Sequence, residues 1–285
     1  PERVVTVGYV DQDAVLALGF EPVGVREWFG EYPYATWPWA QDELGDATPE
    51  VLGEAELNFE QITTLEPDLI TAVFSGITED EYETLSEIAP TIAQSGEYID
   101  YGAPWQEMTR TIGRALGREE RAGKLVAEVE GRFEAAREAH PEFEGASGVV
   151  AGPLGSDGNP HAYGPEDVRG QFLTALGFEI PAEIADLAGE ESFASFSRER
   201  LDLLDTDVLV WLMPEEREGL TEGPLYQNLA VANEGRDIFL GVSGPVSGAL
   251  NFSTVLSLPF ALENVVPRLA AAIDGDPETE VESAS

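Results

Sequence analysis

"NFEQITTLEPDLI", residues 58–70, returns in altered form as "SRERLDLLDTDVLV", residues 197–210. Glu60 stands eight positions before Asp68, and Glu199 stands eight before Asp207. Asn58 and Ser197 are N-cap residue types, so each copy opens a short helix with its glutamate at the second helical position, where the helix dipole favours negative charge. Ile62 and Leu65 match Leu201 and Leu204, a three-residue spacing that buries one helix face. Pro67 stops the first helix, and the turn Asp205-Thr206-Asp207 stops the second. The apolar, branched runs that follow, "LITAV" and "VLVWL", read as buried strands of the parallel type. A capped helix, a turn and a core strand written twice predict two lobes of similar build.

At 285 residues the chain exceeds one comfortable core, and a hydrophobic content of 43% is ample for burial. No stretch approaches the roughly 20 apolar residues that span a bilayer. No signal peptide is visible, and the sequence opens directly on the strand-like "RVVTVGYV". Without cysteine there are no disulfides, thiolate metal sites or cysteine nucleophiles. The net charge of −40, with Lys124 the only lysine, opposes binding to nucleic acid and anionic membranes. Adaptation of a solvated surface to salt or harsh conditions is the favoured reading of that charge, ahead of a functional acidic patch.

Strand signals at Val4–Val7, Pro22–Val25, Leu69–Val73 and Thr91–Ala93 alternate with helical segments. One of these ends at Gly19 and another halts before Pro90. Such alternation is the α/β pattern. From Trp105 to His140 no strand signal appears. A break near Leu116 leaves a helix of about 20 residues, roughly 30 Å long, as a stiff spine between lobes. Strands then follow in "SGVVAGPL", "VLVWL" and "DIFLGV", and the chain closes on a helical pattern interrupted at Pro259. The expected divisions are an N-terminal α/β lobe at 1–103, an interlobe helix at 104–140, a C-terminal α/β lobe at 141–273 and an acidic disordered tail at 274–285.

Two histidines, His140 and His161, make a dedicated zinc or iron site improbable. No Walker A sequence, G-x-G-x-x-G helix opening or G-x-S-x-G elbow is present, and carboxylates are too numerous for any one pair to mark an acid and a base. No catalytic residues are assigned, and the chain reads as a non-enzyme. Aromatic residues instead gather in segments after strands. "REWFGEYPYATWPWA", residues 26–40, carries Trp28, Tyr34, Trp37 and Trp39, while Phe74, Tyr98, Tyr163 and Trp211 lie at or after other strands. Ligands of α/β sheets sit beyond the carboxyl ends of strands. The cluster as a whole therefore predicts an apolar interlobe cleft, although packing on its own domain is at least as good an account of any single ring. Arginines near it are few: Arg26, Arg169 and Arg217. Arg169 equally faces a ligand oxygen or caps its own helix.

The segments "DAVLALGFEPVGV", "NFEQITTLEPDLI", "LSEIAPTI", "AYGPEDVRGQFLTALGF", "LDLLDTDVLVW" and "GPLYQNLAVANEGRDIFL" together resemble, in order and spacing, the substrate-binding proteins of bacterial ABC importers for ferric siderophores, cobalamin and haem. The ferrichrome and hydroxamate branch is the most similar in "YGP…FLTALG" and "PLYQNL". The resemblance implies two Rossmann-like α/β lobes bridged by one long helix, the helical-backbone metal-chelate receptor type. It implies capture of a ferric siderophore, with iron held by the chelator's own oxygens and no protein cofactor or metal ligand. It further implies a monomer that delivers its cargo to an ABC permease dimer, working outside the cytoplasm as a lipid-anchored or periplasmic protein. Family members carry a glutamate at the tip of each lobe that engages permease arginines, which places that role on Glu60 and Glu199. A tryptophan lining that branch's pocket stands here as Phe193. Haem or cobalamin is the alternative ligand, with Tyr163 or His161 as the axial candidate for haem. An enzyme of the nitrogenase-like two-lobe build would require cysteine ligands, and a non-transport interaction protein would use the acidic surface.

Overall fold

A computed structural model describes every residue of the chain except 54, 55, 153–157, 214–217, 277, 280, 282 and 285; the side chains of 218 and 219 are likewise outside the description. The protein forms two units, Pro1–Val129 with Thr254–Leu258, and Glu130–Ser253 with Pro259–Ser285.

The first unit runs β1 (Val4–Thr6), α1 (Asp11–Ala17), β2 (Gly24–Arg26), α2 (Gln41–Leu44), β3 (Glu50–Leu52), α3 (Phe59–Thr64), β4 (Leu69–Ala72), α4 (Glu79–Ile88), β5 (Thr91–Ala93) and α5 (Trp105–Ala115). Its five strands are all parallel, in the order β3-β2-β1-β4-β5. Val5, Val7, Ile70 and Ala72 pack with Ile62 of α3 and Leu85 of α4, burying the apolar side of each helix against the sheet. Thr78 and Glu81 form a capping box that starts α4, each side chain bonding the other's backbone N–H, at 3.3 and 2.8 Å. The edge strand β3 gave no sequence signal because Glu50 and Val51 are exposed and only Leu52 is buried.

Gly117, in the left-handed region at φ 64°, breaks the chain between α5 and α6 (Glu119–Ala139). The 21-residue α6 matches the expected spine in length, and the division between the units falls inside it, after Val129. Residues 104–140 are thus shared between the two units, not a separate division.

The second unit continues with β6 (Gly148–Ala151), β7 (His161–Tyr163), α7 (Val168–Ala175), α8 (Ala182–Ala188), β8 (Phe193–Ser195), β9 (Val208–Met213), α9 (Glu218–Thr221), α10 (Pro224–Gln227), α11 (Ala230–Asn233), β10 (Asp237–Gly241), α12 (Pro245–Phe252) and α13 (Ser257–Ala272). Its sheet has the order β10-β9-β6-β7-β8, parallel except where β7 pairs antiparallel with β6 and β8. All six residues of β9 are buried, as the run "VLVWL" requires. The short strands β7 and β8 escaped the sequence reading because "HAY" and "FAS" hold no β-branched residue, unlike the equally short β1, β2 and β5.

The second copy of the repeated segment, Arg198–Leu204, is a short helix of the 3₁₀ type, kinked at Arg200. Two expectations need correction. Pro259 falls in the first turn of α13, where its missing N–H costs nothing, so that helix is not interrupted there. The tail is not wholly free of structure: Ala284 bridges Leu240 of β10, its N–H donating to the Phe239 carbonyl at 3.2 Å.

Candidate functional site

In the first unit the segments leaving the carboxyl ends of β1, β2, β4 and β5 carry a connected set of rings. Tyr9 lies 5.7 Å from Trp28 and 6.3 Å from Tyr101, centroid to centroid. Phe74 lies 5.2 Å from Tyr101 and 6.1 Å from Trp28. Trp28 continues edge-on to Phe29 at 4.9 Å, Phe29 to Trp37 at 5.0 Å, and Trp37 stacks on Trp39 at 5.0 Å. Arg26, the last residue of β2, places its guanidinium 4.1 Å above the Tyr9 ring and is buried there. A cation fixed over an aromatic face at the carboxyl edge of a parallel sheet suits an organic ligand bearing anionic oxygens.

Two buried carboxylates of α1 hold this arrangement. Asp11 accepts the N–H groups of Val73 at 2.8 Å and Phe74 at 3.0 Å, and the N–H of Tyr9 donates to the Phe74 carbonyl at 2.9 Å. One side chain thereby fixes the two turns that carry Phe74 and Tyr9. Burial raises the Asp11 pKa, against the hydrogen bonds that lower it. Asp13 accepts from the Trp39 indole N–H at 2.8 Å and from the Thr254 hydroxyl, and burial pushes it up to about 7. Gly30, at φ 98°, crosses Trp37 so closely that a Cβ would lie 2.5 Å from the ring.

The expected residues of residues 26–40 and beyond divide by burial. Trp28 and Trp39 are half-buried members of the ring set, and Tyr34 is 40% exposed. Trp37 and Phe74 are its interior, 1% and 2% exposed, so their expected ligand contact is corrected to support of the outer rings. Tyr98 is half-buried and joins no ring pair among the described residues. Tyr9, Asp11 and Asp13 were not picked out from the sequence. Two aspartates inside the apolar helix "DQDAVLA" were the available signal.

The second unit holds a smaller set. Arg169 grips Asp167, the N-cap of α7, through two bonds of 2.6 Å, and donates to Asn251 Oδ1 at 3.0 Å. Its guanidinium also covers the Tyr163 ring at 3.7 Å. Of the two roles left open for Arg169, the structure occupies it with its own helix cap. His161 lies 5.3 Å from Tyr163 and 5.0 Å from the 44% exposed Phe193. Burial, then the nearby Arg169, lowers the His161 pKa, favouring the neutral ring, while burial raises the Tyr163 phenol. Trp211 is corrected outright: it is 0% exposed, in the middle of β9, and its indole N–H donates to the Tyr226 hydroxyl at 3.0 Å. It is a core residue with a satisfied donor and offers no surface to a ligand. Arg217 lies outside the described residues.

Glu60 and Glu199 are both exposed at the second position of their helices. Asn58 caps the first by accepting from the Gln61 N–H at 3.0 Å, and Ser197 caps the second by accepting from the Glu199 N–H at 3.2 Å.

The profile of the family described as periplasmic binding protein matches residues 4–241. A periplasmic solute binding protein from Mycobacterium smegmatis superposes with a TM-score of 0.84 and 34% identity, covering 96% of this chain and 93% of that one. PiaA of Streptococcus pneumoniae, solved in complex with ferrichrome, gives 0.83 and 26% identity, covering 96% and 94%. The probable siderophore-binding lipoprotein YfiY of Bacillus subtilis is 26% identical over 220 residues, 74% of this chain. The chain spans 63% of YfiY's length.

Proposed function

The chain belongs to the periplasmic binding protein family, and from that premise we propose that it captures a ferric siderophore outside the cytoplasm and delivers it to an ABC importer. The protein is a carrier, not a catalyst. The observation that supports this best is the ring set Tyr9, Trp28, Phe74 and Tyr101 with Arg26 over Tyr9. The half-buried faces of Tyr9, Trp28 and Tyr101 cover the organic shell of the chelate, while Phe74 and the buried Arg26 support them from beneath, the cation biasing the site toward the chelate's oxygens. Iron enters as cargo, its six positions filled by the chelator, so the protein need supply no metal ligand. The names of PiaA's bound ferrichrome and of YfiY agree with this class of ligand. With a net charge of −40, the protein favours a neutral or cationic hydroxamate over a naked trianionic catecholate.

Tryptophan fluorescence titration with a panel of ferric siderophores tests the reading: saturable quenching at micromolar ligand supports it, and its absence across hydroxamates, catecholates and citrate-type chelates refutes it.

Glu60 and Glu199 are the anchors for arginines of the two permease subunits, where charge-assisted pairs set register more than affinity. Reversing both to arginine should abolish docking to a permease in proteoliposomes and leave siderophore affinity intact. The protein acts as a monomer, held by a lipid anchor or free in a periplasm. No helix among the described residues is long and apolar enough to cross a membrane.

A further inference from the structure

Between β5 and α5 of the first unit runs an irregular segment, residues 94–104, whose two ends are fixed. At the start the Gln94 side-chain N–H donates to the Ile77 carbonyl at 3.0 Å, and at the finish Gly102, Ala103 and Trp105 are buried. The middle is held loosely. Ser95, Gly96, Glu97 and Asp100 are exposed, and Tyr98 and Ile99 are half-buried. Among the described residues, 95–101 make one hydrogen bond outside their own segment, from the Tyr101 hydroxyl to the Ser75 carbonyl at 3.3 Å.

Tyr101 itself is held in an uncommon way. Its backbone lies in the left-handed region at φ 62°, a conformation that a bulky side chain rarely adopts and that persists only where the surroundings impose it. Its hydroxyl rests on Gly76, itself at φ 60°, where a Cβ would lie 2.2 Å from that oxygen. The turn beneath is firm, because the Ser75 hydroxyl donates to the Ala72 carbonyl of β4 at 2.7 Å. The Tyr101 ring packs 5.2 Å from Phe74 and 6.3 Å from Tyr9, so the segment ends on the aromatic face that serves the ligand. One neutral hydrogen bond and one ring therefore tie down seven residues, an attachment that can open without disturbing the sheet.

We propose that residues 95–101 form a strap that opens and closes over the aromatic face of the first unit, with Tyr101 as its catch, seated on Gly76 when shut and withdrawn when a chelate enters. The left-handed backbone favours release of the catch and the ring contacts oppose it, which keeps the two positions within reach of each other. Tyr98, which joins no ring pair among the described residues, rides on the same strap and moves with it. Closure over a bound chelate would shield it from water and slow its escape, as lids do elsewhere. This inference rests on the carrier reading above and adds control of entry and release at the same site.

The test compares the whole protein with Tyr101→Phe, which keeps the ring and deletes the catch hydroxyl. Amide hydrogen exchange is followed without ligand, and tryptophan quenching by ferric ferrichrome is followed in stopped flow. In the parent, amides of 96–101 should exchange at least a hundredfold faster than those of Leu69–Ala72 and slow at least tenfold when ferrichrome is bound. Tyr101→Phe should speed their exchange in the free protein at least threefold and raise the association rate at least threefold. Gly76→Ala, which pushes the hydroxyl off its seat, should raise the association rate too, while urea unfolding reports separately the strain of an alanine at that φ. A tyrosine that merely touches the ligand would change the release rate and leave association and free-protein exchange unmoved, and that result overturns the strap. Protection at 96–101 equal to that of β4 overturns it as well. If ferrichrome and the other chelates of the panel all fail to bind while Tyr101→Phe still loosens the 96–101 amides, the strap stands and the carrier reading beneath it fails. If chelates bind with exchange and association unmoved by either substitution, only the strap fails.

Discussion

Asp207 holds Ser147 through three hydrogen bonds: its carboxylate accepts the Ser147 N–H at 2.8 Å and hydroxyl at 2.7 Å, and its own N–H donates to the Ser147 oxygen at 2.9 Å. Asp68 does the same work in the first unit, accepting the N–H groups of Glu2 at 2.7 Å and Arg3 at 2.9 Å. Ser147 precedes β6 and Arg3 precedes β1, so each aspartate pins the entry of its unit's central strand. The repeated spacing of eight thus joins an exposed glutamate to an aspartate that serves the fold.

Removing either pin should cost stability. The Ser147 hydrogen bonds lower the Asp207 pKa; at Asp68 some desolvation opposes, but the bonds from Glu2 and Arg3 win and the pKa is lowered too. A depressed carboxylate contributes stability above its ordinary pKa of 3.8 and loses it as pH falls below that value. Both are solvent-screened, so Asp68→Ala or Asp207→Ala should cost about 1 kcal/mol at pH 7 in urea unfolding, shrinking towards pH 2. An undiminished cost at pH 2 would assign the effect to packing.

Asp13 acts with the opposite sign. It is fully buried against Trp39 and Thr254, near Glu43, which raises it further, and its Oδ1 has no hydrogen-bond partner among the described residues. A folded pKa of about 7 against an ordinary 3.8 means the folded state holds its proton more tightly. Stability should therefore be greatest at low pH for this group and fall as pH rises from about 4 to about 7, by up to about 4 kcal/mol. Asp11, also raised, adds to the decline. Asp13→Asn should flatten Asp13's share between pH 5 and 7.5 in urea melts, and an unchanged slope would show that Asp13 is ionised throughout.

The two units were legible because their central strands announce themselves. "LITA" and "VLVWLM" are buried at every position, and apolar runs between turn signals leave few alternatives. The aromatic segment was legible as a cluster and not residue by residue. Composition shows that Trp28 and Trp37 are neighbours in the chain, but only the left-handed crossing at Gly30 puts Trp37 inside and leaves Trp28 at the surface of the set. Trp211 misled because a tryptophan at a strand end and one in a strand core differ only in register. Asp167 was invisible as Arg169's partner because short-range N-cap geometry, not spacing, brings them together.

Arg169 offers a direct comparison between the two roles its sequence left open. Asp167 is wholly buried, so Arg169→Met leaves a carboxylate without its cation and should cost about 3–5 kcal/mol. Arg169→Lys keeps charge but loses the fork and should recover part of that stability. If chemical denaturation shows both variants as stable as the parent while siderophore affinity alone falls, Arg169 is a ligand contact and its cap is incidental.

Trp28 and Trp211 should respond to substitution in opposite ways, because one contributes an outer face and the other a core. Trp28 lies against Tyr9, Phe29 and Phe74 and stays half-buried, so Trp28→Ala removes part of the proposed ligand face while the enclosed Trp37 keeps the segment packed. A tenfold loss of ferric siderophore affinity, equivalent to about 1.4 kcal/mol, is expected with a smaller loss of stability. Trp211→Phe instead deletes an indole donor to Tyr226 and leaves a void beside it, while the Tyr226 hydroxyl keeps its bond of 2.5 Å to Asp237. That change should cost about 1–3 kcal/mol in urea unfolding and leave siderophore affinity within twofold. Isothermal titration of both variants with one chelate from the panel decides the matter: affinity lost at Trp211 and kept at Trp28 would move the ligand away from the carboxyl edge of the first sheet.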